Sequence, residues 1–201
     1  MPPAKAILIW LAVLAAMSLP LFIAATSPLL QWRQPIYIVA GLAGVVALIL
    51  LFVQPLLVAG ALPGLPAQRG RRLHRGFGVV LVGLVALHVA GLWITSPPDV
   101  IDALLLRSPT PFSLWGVLAM WGLFAAATLA LLRHRLPRPL WRLGHSTLTL
   151  CVVLTTAIHA LTIEGTMGAV SKALLCALAL AASLWAVTQL KSWRHLRRKL
   201  R

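Results

Sequence analysis

The sequence predicts an all-α membrane protein, a six-transmembrane-helix bundle with both termini cytoplasmic. Of its 201 residues, 60% are apolar and only 10% are charged, whereas a typical soluble domain has about 25% charged residues. The mean hydropathy is +0.93. These values exclude a soluble globule, a disordered chain and a disulfide scaffold.

Six charge-free runs are each long enough to cross a bilayer, which takes about 20 mostly apolar residues. Trimmed at proline, glycine and charged positions, they predict helices over about residues 5–25, 36–59, 74–95, 112–132, 144–163 and 168–190. The first helix is longer than the apolar core of a signal peptide, so we expect it to be retained. We expect residues 1–201 to form a single domain that ends in a basic tail, residues 191–201.

The distribution of charge predicts the orientation of the bundle. With the N-terminus in the cytoplasm, 15 of the 18 Lys and Arg residues lie on the cytoplasmic side, in the loops and the tail. The three acids, Asp99, Asp102 and Glu164, all lie outside. This asymmetry follows the positive-inside rule. The asymmetry assigns the basic tail to anionic lipid rather than to nucleic acid, and we expect the protein to lie in the cell inner membrane.

Four histidines fall within two of the predicted spans. His74 and His88 belong to the third span, and His145 and His159 to the fifth, with 14 residues between the members of each pair. Fourteen residues rise about 21 Å and make nearly four turns, so each pair shares one helix face. The two spans run in the same direction. His74 should therefore lie level with His145, and His88 level with His159.

Two imidazoles facing each other in apolar surroundings are typical of bis-histidine haem ligation. The spacing therefore predicts two haems b, the inner one on His74 and His145 and the outer one on His88 and His159. Zinc fits poorly, because two histidines per level leave its tetrahedron incomplete. The competing interpretation, hydrogen-bonded packing histidines, explains one such residue more readily than four at matched depths.

Other residues carry weaker signals. Arg72, Arg75 and Arg142 flank the inner pair and could hold haem propionates, although positive-inside charge explains them equally well. His134 and His195 lie in basic clusters and are expected to be solvated. The cysteines are read as packing residues, and no catalytic set of side chains is recognisable. Five tryptophans near predicted boundaries are typical of an aromatic belt: Trp32, Trp93, Trp115, Trp141 and Trp193.

The two histidine-bearing segments resemble those of a known family. Residues 71–78 (Arg-Arg-Leu-His-Arg-Gly-Phe-Gly) with Leu87-His88, and residues 141–145 (Trp-Arg-Leu-Gly-His) with Ile158-His159, look like the signature helices of the ferric reductase-like transmembrane domain. That family includes the haem-binding membrane subunits of periplasmic methionine sulfoxide reductase systems, ferric reductases and the membrane cores of NADPH oxidases. Cytochrome b of quinol-oxidising complexes has similar spacing, but its histidines lie on the second and fourth helices of a four-helix core.

The resemblance implies an oxidoreductase subunit that carries electrons outward across the membrane. About a dozen residues follow the last span, so the expected donor is a separate cytoplasmic flavin reductase with FMN or FAD, or a quinol. The expected acceptor is a periplasmic partner protein, ferric iron or oxygen. Two alternatives are a quinol-oxidising cytochrome b-type subunit and a cofactor-free transporter whose histidines line a path.

Overall fold

The computed structural model describes residues 3–190, and this part of the chain contains helices and no strand. The basic tail, with His195 and Trp193, lies outside the described residues. Seven α-helices follow one another: α1 (Pro3–Ala25), α2 (Pro35–Ala59), α3 (Ala67–Thr95), α4 (Pro97–Leu104), α5 (Pro111–Leu131), α6 (Arg138–Thr162) and α7 (Ala169–Gln189). All except α4 are long and apolar enough to cross a membrane. The predicted class, an all-helical multi-pass membrane protein with six spans, is confirmed.

Two helices begin earlier than expected. The sequence suggested starts at 74 and 144, whereas α3 begins at Ala67 and α6 at Arg138. The expected starts were trimmed at charged residues, but arginine is a good helix former. Charge limits how deeply a helix sits in lipid and does not end the helix. The first turns of α3 and α6 therefore carry Arg69 and Arg138. They lie at the bundle's basic end, which we define as the end with the α2–α3 and α5–α6 connections.

The short helix α4 was not expected from the sequence, because eight residues are too few to show up as a span. Its first turn contains two prolines and Asp99, a favourable helix start since proline needs no amide partner there and the carboxylate faces the positive end of the helix. The Ser96 hydroxyl donates to the Asp99 carboxylate. α4 connects α3 to α5 at the end opposite the basic end.

Four of the helices pack as two pairs, which a further helix joins. α2 packs along α3, α5 packs along α6, and α7 joins the pairs by packing on both α2 and α6. The largest group of buried apolar residues lies along α2 and α7, including Leu48, Phe52 and Leu175. The backbones of α3 and α6 make almost no close approach. The two helices that carry the histidines thus face each other across the bundle and are not in direct backbone packing.

Candidate functional site

His74 on α3 and His145 on α6 form one facing pair at the basic end of the bundle. Their ring centres lie 6.4 Å apart and their ring planes are nearly perpendicular, at 83°. An imidazole nitrogen binds a metal at about 2 Å and its ring centre lies about 1 Å behind it, so rings on opposite sides of one metal have centres about 6 Å apart. The observed spacing therefore suits one metal ion held between the two rings.

His88 and His159 form the second pair, one level further along the same two helices. They lie within electrostatic range of each other. The 14-residue step from His74 and His145 places them about 21 Å along the bundle. We call the two pairs the first level (His74 and His145) and the second level (His88 and His159).

Each ring of the second level is hydrogen-bonded to the backbone of a neighbouring helix, α2 for His88 and α5 for His159. His88 Nδ1 donates to the Ala40 carbonyl oxygen at 2.7 Å, and His159 Nδ1 donates to the Phe112 carbonyl oxygen at 2.8 Å. A carbonyl oxygen only accepts, so Nδ1 must carry the proton in each ring. The other nitrogen, Nε2, then keeps its lone pair for a ligand bond, which is the usual arrangement of metal-binding histidines.

A glycine opposes each ring of the second level. A Cβ atom on Gly44 would lie 3.0 Å from His88 Nδ1, and one on Gly116 would lie 2.8 Å from His159 Nδ1. Each glycine follows the accepting carbonyl by four residues, one turn along the same helix face. The carbonyl and the glycine together make a cradle that holds the imidazole plane against the helix.

The first level is held less uniformly. His74 Nδ1 donates to the Gln54 carbonyl oxygen at a longer 3.3 Å. His145 approaches the Ala126 carbonyl, but its buried Nδ1 has no partner with hydrogen-bond geometry. The Trp141 ring instead stacks on the His145 ring, with centres 5.6 Å apart and planes within 15°.

The three predicted arginines lie at the basic end and are exposed. Arg75 follows His74 directly and lies within electrostatic range of it. Arg142 donates to the Leu190 carbonyl oxygen at the end of α7. Arg72 lies one turn from Arg75 on α3. Guanidinium groups in such positions can bind the carboxylates of a ligand held between α3 and α6.

The remaining histidine of the described chain is separate from both levels. His134 is exposed and accepts a hydrogen bond from Arg133 Nε at 3.1 Å. Within residues 3–190, no three or more His, Cys, Asp or Glu side chains come together as a metal cluster. At each level the protein thus offers two ligand atoms to a metal, one from each histidine.

Several site residues were missed by the sequence reasoning. Gln54 contributes its backbone carbonyl, a role that no side chain signals, although its amide is buried in an otherwise apolar helix with 8% of its surface exposed. Trp141 was assigned to an aromatic belt. Gly44 and Gly116 carried no signal of their own, because small residues also occur wherever membrane helices pack closely.

The other glycines of α3 and α6 have different surroundings. A Cβ on Gly91 would approach Ala40 Cβ to 2.7 Å, and one on Gly144 would approach Leu129 Cδ2 to 3.1 Å, so both allow close helix contact. Gly78 faces the Gln54 amide at 3.5 Å, whereas Gly76 and Gly83 have nothing within 4 Å.

Lys172 also has a role that charge counting did not predict. It lies in the first turn of α7 and is buried, with 9% of its surface exposed. Its ammonium group donates to the Ile163 carbonyl oxygen at 2.7 Å. A cation in this position satisfies the C-terminal end of α6, just after His159.

Comparison with known proteins bears on the whole arrangement. The family model of the ferric reductase like transmembrane component matches residues 40–156, more than half of the chain. The match includes His74, His88 and His145 and stops three residues before His159. Neither the comparison with curated proteins nor that with solved structures found a match. The chain belongs to the ferric reductase-like transmembrane family, whose domain type points to electron transfer across the membrane.

Proposed function

We propose that the protein is a di-haem b transmembrane electron carrier. One haem iron would be bound by His74 and His145, and the other by His88 and His159. The observation that carries the proposal is the 6.4 Å spacing of the first-level rings, which leaves room for one metal between them. The Nδ1–carbonyl bonds support it, because they free Nε2 of His74, His88 and His159 for a ligand bond.

In this proposal the haems and the polypeptide have different roles. The haems supply the one-electron chemistry, and the chain supplies ligands, burial and spacing. The two histidine levels are about 21 Å apart along the helices, a distance that covers most of the roughly 30 Å apolar core of a bilayer. Arg72, Arg75 and Arg142 would bind the propionate carboxylates of the first-level haem at the basic end.

The direction of transfer follows from the proposed orientation. If the basic end faces the cytoplasm of a cell with an inner membrane, the first level is the entry point and the second level the exit. The donor would then be a separate flavin reductase carrying FMN or FAD, or a membrane quinol. The acceptor would be a periplasmic partner protein, ferric iron or oxygen. The positive-inside distribution of charge supports this direction.

Optical spectra of the purified protein test the proposal. The detergent-solubilised protein, produced with ample haem supply, should show low-spin b-type bands that change on dithionite reduction, with two haems per chain. Replacing His88 or His159 by Ala should remove one haem, and replacing His74 or His145 should remove the other. The exposed His134 provides the matched control, and H134A should keep both haems.

Two results would contradict the proposal. A colourless wild-type protein would reject haem binding and favour a cofactor-free transporter. Full haem content in all four single-histidine variants would reject the ligand assignment while leaving haem binding itself intact.

A further inference from the structure

The four facing histidines are not held alike, and the exception is His145. His88 and His159 each have a carbonyl acceptor and an opposing glycine, and His74 has the Gln54 carbonyl. His145 Nδ1 is buried and approaches the Ala126 carbonyl, but the two do not meet in hydrogen-bond geometry. A ring with no such bond is free to rotate about its side-chain torsions unless something else fixes its plane.

The Trp141 indole lies where it can fix that plane. It sits one helical turn before His145 and stacks on it, with planes within 15°. Offset stacking of aromatic rings contributes about 0.5–1.5 kcal/mol beyond burial. Such a contact restrains tilt and rotation of the imidazole in the way that the carbonyl bonds restrain the other three.

The corresponding position on α3 cannot hold a ring. Four residues before His74 lies Gly70, which is buried, and even a single Cβ atom there would clash with the Leu57 carbonyl oxygen. The α3 backbone therefore packs directly on α2 at this point, and His74 is oriented from α2. On α6 the same turn carries the large indole, so the two histidines of the first level are oriented by different means.

We propose that Trp141 is a positioning residue that sets the plane of the His145 imidazole, and through it the perpendicular arrangement of the two first-level rings. This inference rests on the proposed function, since it concerns a histidine in the role of an iron ligand. Stacking here restrains a ring whose approach to the Ala126 carbonyl lacks hydrogen-bond geometry. The plane of the His145 imidazole at the first level then depends on a single side chain, that of Trp141.

Low-temperature electron paramagnetic resonance of the oxidised holoprotein measures this directly, because low-spin ferric haem with perpendicular imidazole planes gives a strongly anisotropic signal. In W141L the signal of the first-level haem should move or broaden, and this haem should dissociate on the order of tenfold faster. The second-level signal should not change, which shows that the variant is folded. W141F keeps a stacking ring and should stay close to the wild type.

Trp185 on α7 is 40% exposed and provides the matched control, so W185L should leave both signals unchanged. The inference is overturned if W141L has the wild-type first-level signal and dissociation rate, or if W185L or the second-level signal changes equally. H145A, assigned to the same haem, identifies which signal is the first-level one. A wild-type protein with no haem would reject the proposed function as well, whereas two haems with an unresponsive W141L would reject this inference alone.

Discussion

At the scale of single residues, the second level shows how backbone carbonyls in an apolar bundle fix the tautomer and orientation of a neutral histidine. The carbonyls of Ala40 and Phe112 accept from Nδ1 of His88 and His159, which fixes both the tautomer and the direction of Nε2. Burying a polar nitrogen without a partner would cost about 1–3 kcal/mol. These bonds remove that cost and orient the ring in the same step.

Substitution of the cradle glycines should disturb the second level selectively. A methyl group on Gly116 would lie 2.8 Å from His159 Nδ1, and one on Gly44 would lie 3.0 Å from His88 Nδ1. In G116A and G44A the imidazole must shift away from its carbonyl. Loss of such an outer partner weakens metal binding about 10–100-fold, so we expect the second-level haem to be lost on dilution while the first-level haem stays.

Gly83 provides the control for these variants, because it lies on α3 and a Cβ there would have nothing within 4 Å. G83A should retain both haems when its haem content is measured in the same way. Full retention of the second-level haem in G116A and G44A would show that the close glycine contacts do not hold the rings.

The sequence predicted which residues face each other but not how they are held. The 14-residue spacing is a property of the helix repeat, and it placed His74 opposite His145 without any knowledge of packing. The contacts of Gly44 and Gly116 depend on the rotation of α2 and α5 about their own axes. Uniformly apolar helices carry little periodic signal for such rotation, so these contacts became visible only in three dimensions.

At the scale of helices, the contact between α2 and α3 determines where two of the histidines sit. A Cβ on Gly91 would lie 2.7 Å from Ala40 Cβ and 3.4 Å from the Ile36 carbonyl oxygen. Small residues at membrane helix contacts let the backbones approach closely. Because Ala40 also accepts the His88 hydrogen bond, the same contact sets both the helix spacing and the position of the ring.

Enlarging Gly91 should therefore affect stability and the second level together. Overpacking of a tight contact costs about 1–3 kcal/mol, and G91A should lower the thermal unfolding midpoint in detergent and weaken the second-level haem. Gly41 lies on α2 with nothing within 4 Å of a built Cβ, so G41A should leave both properties unchanged. Equal stability of G91A and wild type would mean that α3 can move away from α2 without cost.

Helix existence was predicted well and helix starts less well, for a physical reason. Hydropathy reports where lipid surrounds a helix, and the first turns of α3 and α6 extend beyond that region with their arginines. α4 was missed because its eight residues are too few to form a span. Both errors come from equating a helix with its lipid-covered part.

At the scale of the whole molecule, the two histidine-bearing pairs of helices repeat one plan. His88 lies 48 residues after its carbonyl partner and His159 lies 47 residues after its own, with the α2–α3 pair and the α5–α6 pair in corresponding roles. In both pairs of helices, the histidine bonds to a carbonyl of the helix that precedes its own.

The orientation of this repeat in the membrane decides which level receives electrons, and it can be tested by cysteine labelling in sealed spheroplasts. In a background where Cys151 and Cys176 are replaced by Ser and Ala, D102C on α4 should react with a membrane-impermeant maleimide from outside. R69C on the first turn of α3 should react only after lysis, because the positive-inside rule retains arginine clusters in the cytoplasm. Reversed labelling would reverse the proposed direction of transfer. It would leave the histidine pairs and their cradles untouched, since those depend on helix packing and not on which side of the membrane the basic end faces.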